Sequence, residues 1–326
     1  MTGLAGPAAR IRTDLPALLT HVADAFALGD VGQWSVLTTG YEDCNVDLTT
    51  AAARVVVKVF APDRGAGIAA RTAGLITAAR AVGVRHPRLH RDTHGALVHS
   101  YRGHQVLVMD FVPGHTIYDL GRAPSVGELA GIVEQAVAIH TIDAHLEFVF
   151  DPWAITNLVP LAGQLRDVLD TEQVRLVGQA LEEAAGVDRA VLPVALIHAD
   201  LTKVNVLIGQ DGAVTVLDFA VANRFPRVQE LAVVAANLTH GAPEPLPARV
   251  EPLPARVETI AAVYSAAAEV PLSTVERVAL RAFARAAAAM ELLGALAEWH
   301  HHGNRGSETE YLIGLGLAGL RDYGFS

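Results

Sequence analysis

Residues 196 to 208 read LIHADLTKVNVLI. Ile197, Leu201, Val204, Val206, Leu207 and Ile208 suit a core, but His198, Asp200, Lys203 and Asn205 do not. Polar groups in an apolar setting are costly unless something there requires them. Further on, Asp218 stands in VTVLDF. The segment between, NVLIGQDGAVTVLDF, reads as a strand pair with Asp211-Gly212 at the turn, which brings Asp218 back toward Asp200 and Asn205. Two carboxylates and an amide are hard oxygen ligands suited to magnesium. Phosphoryl transfer needs such a set: one carboxylate to orient and deprotonate an acceptor hydroxyl, with an amide and a carboxylate on the metal.

The rest of the chain must position these groups. Residues 14 to 28 have helical apolar spacing, with Asp14 as expected N-cap and Pro16 in the first turn. WSVLTTGYEDCNVDL, ARVVVKVF and the stretch from His94 to Gly114 read as strands, with a helix over 66–82 among them. After Pro113-Gly114 the pattern turns mainly helical, over 125–141, 161–185, 226–240, 255–268, 273–298 and 308–321. The order is a small strand-rich half, a link near 110–114 and a larger helical half.

Composition narrows the classes. The net charge of −10 disfavours general binding to nucleic acid or to an anionic membrane. A single cysteine, Cys44, allows no internal disulfide. The opening residues lack a continuous apolar stretch, so no signal peptide and a cytoplasmic location are expected. The Ala-rich run at 282–298 carries Arg285, Glu291 and Glu298 and reads as a buried helix, not a membrane span. EPLPARV at 244–250 is repeated at 251–257. It reads as a tandem insertion in a surface loop; a proline-rich partner site would lack a basic anchor beyond Arg249 and Arg256.

HADLTKVNVLI followed by VTVLDF resembles the H-x-D-x-x-x-x-N and D-F elements of the protein-kinase-like fold. The HADL spelling is similar to the small-molecule branch, which includes aminoglycoside phosphotransferases, homoserine kinases of that fold and choline-kinase relatives. PRVQELA at 226–232 resembles the P-x-x-x-D-L-A run of that branch, with Glu230 where Asp is usual. The resemblance implies an α+β, bilobal, protein-kinase-like fold: an N-terminal nucleotide-binding lobe over 1–109, a hinge over 110–114, and a C-terminal catalytic and acceptor-binding lobe over 115–326.

It also implies roles. Asp200 would be the catalytic base, Asn205 and Asp218 would bind Mg2+, and His198 would brace the loop. Lys203 reads equally as a solvent-facing residue or as a phosphate or substrate contact. Lys58, in a strand interior, would grip the nucleotide phosphates; its alternative is an edge-strand lysine facing water. Gly40, in TTGYEDCNV, would belong to the phosphate-covering loop. Met109 would flank the adenine pocket or simply pack in the core, and Asp110 and Val112 would offer a carbonyl and an N–H.

The implied activity is transfer of the γ-phosphoryl group of ATP, or of GTP, to a hydroxyl of a small molecule: an amino sugar, amino alcohol or hydroxy amino acid. One departure matters. No glutamate occurs between Glu42 and Glu128, and Thr72 stands where the family has the partner of its strand lysine. Lys58 is left with Asp218, Glu42, Asp43 or no partner. A catalytically impaired, nucleotide-binding regulatory protein is the alternative this departure raises. A peptide kinase fits less well, because PRVQELA follows Asp218 almost at once and no A-P-E segment is present. Candidate acceptor-lining residues lie at 223–227 and 298–311. GAGIAA at 65–70 is separated from its strand and lacks the acidic strand end of a dinucleotide site. The histidines of WHHHG at 299–303 point in different directions on a helix and read as a helix-end cluster, not a zinc site.

Overall fold

In the computed structural model the described residues are 11, 13–37, 43–65, 67–144, 146–238 and 252–322. The chain divides into two compact units, 1–114 and 115–326.

In the first unit, helix α1 (Leu15–Ala25) starts where Asp14 accepts a hydrogen bond from the Ala17 N–H. Five antiparallel strands follow: β1 (Val31–Leu37), β2 (Cys44–Thr50), β3 (Arg54–Val59), β4 (His99–Tyr101) and β5 (His104–Asp110), in the spatial order β1-β2-β3-β5-β4. Helix α2 (Ile68–Ala81) lies between β3 and β4 in sequence and packs on β5. Alternation assigns the faces. Val55, Val57 and Val59 join Leu18, Leu19 and Val22 of α1 in one core. Lys58 therefore points to the opposite face, with Asn45 and Leu107 as its cross-strand neighbours. Cys44 is the first residue of β2 and is fully buried.

The second unit opens with β6 (His115–Thr116), α3 (Ile117–Leu120) and α4 (Val126–His140). The helix expected over 161–185 is two helices, α5 (Leu158–Gln164) and α6 (Thr171–Ala185). The break is local chemistry: Asp170 accepts from the Gln173 N–H while the Gln173 side chain accepts from the Asp170 N–H, a capping box that starts a new helix. Next come β7 (Val194–Ile197), β8 (Val206–Ile208), β9 (Val214–Val216) and β10 (Asn223–Pro226). β6, β8 and β9 form one sheet, and β7 pairs with β10. Asp211-Gly212 makes the β8–β9 turn, with Gly212 at φ +76°. The stretch at 226–240 begins as the last residue of β10, then becomes α7 (Val228–Val233) and a π-helical turn, Val234–Leu238.

Helices α8 (Leu253–Ala267), α9 (Thr274–His301) and α10 (Ser307–Asp322) complete the unit. α9 packs against α6, α7 and α10. Gly316 allows the α9–α10 approach, since a Cβ there would collide with the backbone of Ala288 and Leu292. The first EPLPARV copy lies outside the described residues. The second corrects the surface-loop expectation: it starts α8, and Leu253, Arg256 and Val257 are buried. Its two prolines suit a first helical turn, and the three buried residues share one face. Asp322 accepts from the Leu253 N–H at 2.8 Å and from Arg256 at 3.3 Å, tying the start of α8 to the end of α10. Among the described residues no helix is long and apolar enough to cross a membrane.

Candidate active site

β7 ends at Ile197, and the chain turns sharply into the polar stretch. Ala199 sits at φ +69°, a left-handed conformation that costs a residue with a Cβ. Glu230 of α7 holds the turn by accepting the N–H groups of His198 and, at 3.4 Å, Ala199. Burial pushes the Glu230 carboxyl up to about 7. His198 is fully buried. Its Nε2 faces the Leu217 carbonyl at 2.9 Å, its Nδ1 accepts the Asp200 N–H at 3.3 Å, and its ring packs on Phe219. These contacts define one neutral tautomer, and burial lowers its pKa to about 4. His198 is therefore a brace between the two polar segments.

Asp200 presents both oxygens in fixed directions. Oδ1 accepts the Thr202 hydroxyl at 3.0 Å, and Oδ2 accepts Asn205 Nδ2 at 2.7 Å. The same Nδ2 reaches the Asp200 carbonyl at 3.0 Å, while the Asn205 carbonyl accepts the Leu217 N–H at 2.8 Å. Asp218, at φ +60°, follows directly and accepts the Ala220 N–H at 3.1 Å. Asp200, Asn205 and Asp218 are thus brought together by the β8–β9 hairpin. Burial raises the Asp200 carboxyl well above its ordinary range, and Asp151 and Asp218 raise it further. A group of carboxylates that repel one another in this way is a setting a cation would relieve.

Among the described residues no three His, Cys, Asp or Glu side chains form a metal cage. Magnesium does not require one: it is commonly held by one or two protein oxygens, with phosphates and water completing its shell. With Nδ2 of Asn205 committed to Asp200, its Oδ1 and the Asp218 carboxylate are the oxygens suited to that ion.

In the first unit Lys58 is buried, not at a water-facing edge, and its ammonium lies 3.0 Å from Asp43 Oδ2. The other Asp43 oxygen accepts the Ala61 N–H at 3.2 Å. Asp43 is thus the acidic partner, while Thr72 on α2 is a buried hydroxyl. Met109 is buried in β5 opposite Val56, Asp110 ends the strand, and Val112 lies just beyond it. The Asp110 N–H donates to Arg88 O, and its carboxylate takes Arg88 and His90. Gly40 lies outside the described residues.

Several expectations need correction. Lys203 is not solvent-facing: it is 4% exposed, and its ammonium donates to the Tyr311 hydroxyl. Within 223–227, Asn223 and Arg227 are committed elsewhere, while Arg224 is exposed. Asn223 bonds both backbone groups of Val149, and Arg227 is paired with Glu276 at 2.7 Å. The histidine cluster is where it was expected: His300, His301 and His302 are exposed at the end of α9. Sequence reasoning also missed Asp151, Asn237 and Glu291, which come from distant positions with no local motif to mark them.

A phosphotransferase enzyme family (APH) model matches residues 33–258. No curated protein matches the sequence. Solved structures similar to this chain include a spectinomycin phosphotransferase in complex with ADP and spectinomycin, at TM-score 0.67 and 8% identity, covering 96% of this chain and 100% of that one. A choline/ethanolamine kinase family protein from Mesorhizobium loti gives TM-score 0.63 at 16% identity, covering 94% and 98%. A microcompartment-associated aminopropanol kinase gives 0.60 at 18% identity, covering 93% and 95%. Likenesses at such identities speak to the fold, which is the protein-kinase-like bilobal one. With the family match over most of the chain, the protein belongs to the APH phosphotransferase enzyme family and is a small-molecule kinase.

Proposed function

We propose that the protein transfers the γ-phosphoryl group of ATP to a hydroxyl of a small molecule that carries an amino group. The observation that carries this reading is the Asp200 carboxylate, held at both oxygens by Thr202 and Asn205. In the reaction Asp200 accepts the proton of the acceptor hydroxyl as that oxygen attacks phosphorus. A carboxyl raised above its ordinary range is a stronger base than an ordinary one. Asn205 Oδ1 and Asp218 hold Mg2+, which supplies positive charge for the phosphate oxygens. Lys58 contacts the phosphates, with Gly40 in the covering loop. Met109, the Asp110 carbonyl and the Val112 N–H serve the base of the nucleotide. Positioning and electrostatics account for most of the rate enhancement.

The charge around Asp200 supports an ammonium on the acceptor. Asp151, Asp218 and Glu291 all act on it, whereas Arg227 is already neutralised by Glu276. The ethanolamine-type and aminopropanol kinases among the similar structures fit this class. The Lys58–Asp43 pair supports catalysis over a non-catalytic reading, because the strand lysine has a carboxylate beside it.

The test is a phosphoryl-transfer screen over amino sugars, amino alcohols, hydroxy amino acids and nucleosides, run with wild type and Asp200→Asn. Turnover should fall about 1000-fold in the variant while ATP binding persists. Full turnover by Asp200→Asn would remove that residue from the chemistry, and a preference for uncharged nucleosides would remove the amine.

A further inference from the structure

Lys203 occupies the middle of the loop between Asp200 and Asn205, and each of its polar groups is tied to a different element. Its backbone N–H donates to Asn237 Oδ1 at 2.8 Å. Its carbonyl accepts the Tyr118 N–H of α3 at 3.2 Å. Its ammonium donates to the Tyr311 hydroxyl of α10 and lies 5.0 Å from the centre of that ring. The ring in turn packs edge-on against Tyr118, with centroids 5.9 Å apart. Asn237 uses its remaining group on α9, where Nδ2 donates to Glu291 Oε1 at 2.8 Å.

Asn237 lies within the π-helical turn. Such turns widen a helix by one residue and recur at functional sites, because they re-aim side chains. Here the turn accompanies one amide that meets both the loop backbone and Glu291. A lysine is long enough to carry the contact from the loop to α10. Glu291 and Tyr311 lie beyond residue 258, where the family match ends.

We propose that Lys203 and Tyr311 form a strut that makes the C-terminal helix α10 a positioning element for Asp200. The proposal rests on Asp200 being the base. Through the Lys203 backbone, tied to Asn237 and Tyr118, the strut fixes the stretch on which Asp200 and Asn205 stand. Its loss lets the loop move and lowers the fraction of molecules with the base in place. Turnover should therefore suffer while nucleotide affinity does not.

The experiment uses the full chain with Lys203→Met, Tyr311→Phe and the double variant. Backbone hydrogen exchange is followed over residues 199–205, and steady-state kinetics use ATP and an acceptor from the screen. Expected are exchange about 10-fold faster across that loop, with β9 unchanged, and kcat about 10-fold lower with KM for ATP unchanged. The double variant should be no worse than the poorer single variant, because both remove one contact. Unchanged loop exchange, additive losses in the double variant, or a defect confined to KM for ATP would each overturn the strut. If exchange responds but wild type phosphorylates no acceptor, the strut holds the loop as proposed and the phosphotransfer reading is what fails.

Discussion

The two buried lysines, one in each unit, are held in different ways. Lys58 and Lys203 are 3% and 4% exposed. Lys58 lies in a strand and meets a carboxylate, Asp43, at 3.0 Å. Lys203 lies in a loop and gives its ammonium to a phenol, Tyr311. Burial lowers the Lys203 pKa from its usual 10.5 to about 8, although Glu291 acts to raise it. A charge matched by a carboxylate can remain charged in a dry interior, whereas one facing a neutral hydroxyl costs stability to keep. On the proposed function, Lys58 would exchange one anion for another, the Asp43 carboxylate for a phosphate. Lys203 is set up to hold a shape.

The largest expected effect tests the first half of that contrast. Asp43→Ala removes the buried carboxylate 3.0 Å from the Lys58 ammonium and should cost about 3–5 kcal/mol in denaturant unfolding. Adding Lys58→Met to it should restore most of the loss, leaving a protein that folds but binds ATP poorly. A loss below about 1 kcal/mol in the single variant would show that Asp43 is not what sustains the charge.

Next comes Glu230, another buried charge, which serves two backbone N–H groups. Its pKa is raised from 4.5 to about 7, so the folded state keeps a proton that the unfolded state releases between those values. Its contribution is present in full below pH 4.5 and is lost as pH rises through 7, by about 3 kcal/mol. His198, lowered from 6.5 to about 4, opposes this over the acid part of the range. The comparison is therefore with Glu230→Gln: wild type should gain on that variant as pH falls from 8 to 4.5. A pH-independent difference would refute the assignment.

Lys203→Met addresses the second half. Between pH 8 and 10.5 folded Lys203 sheds a proton that unfolded Lys203 keeps, so wild type gains stability across that window and lacks the gain at pH 7. At pH 7 the variant should lie within about 1 kcal/mol of wild type, despite its lower turnover. A loss of several kcal/mol would make Lys203 a residue the fold itself depends on. The smallest effect belongs to the repeat. Deleting residues 244–250 leaves one EPLPARV to supply the buried face of α8, and the unfolding free energy should change by less than about 0.5 kcal/mol.

That Asp200, Asn205 and Asp218 meet was legible in LIHADLTKVNVLI and VTVLDF, because the loop and its hairpin are local. Asp200, Asn205 and Asp218 need only a short turn between β8 and β9 to meet. His198 as a brace was legible for the same reason. The second EPLPARV copy was misread because two prolines suggest a loop, and only packing against α10 shows that they open a buried helix. The 161–185 stretch was misread because its apolar spacing runs on past the Asp170 cap.

By itself the sequence determined the broad order of strands and helices, the polar loop that meets Asp218 and the class of small-molecule kinase, since these depend on residues close together in the chain. Tertiary structure alone decided which of several acids meets Lys58, what surrounds Asp200 and where Lys203 points. Asp43, Asp151, Glu230, Asn237, Glu291 and Tyr311 acquire their meaning from partners up to 108 positions away. A spacing rule reads periodicity within one element. Which element closes on which, and so which polar group is left dry beside which charge, is settled only when the core packs.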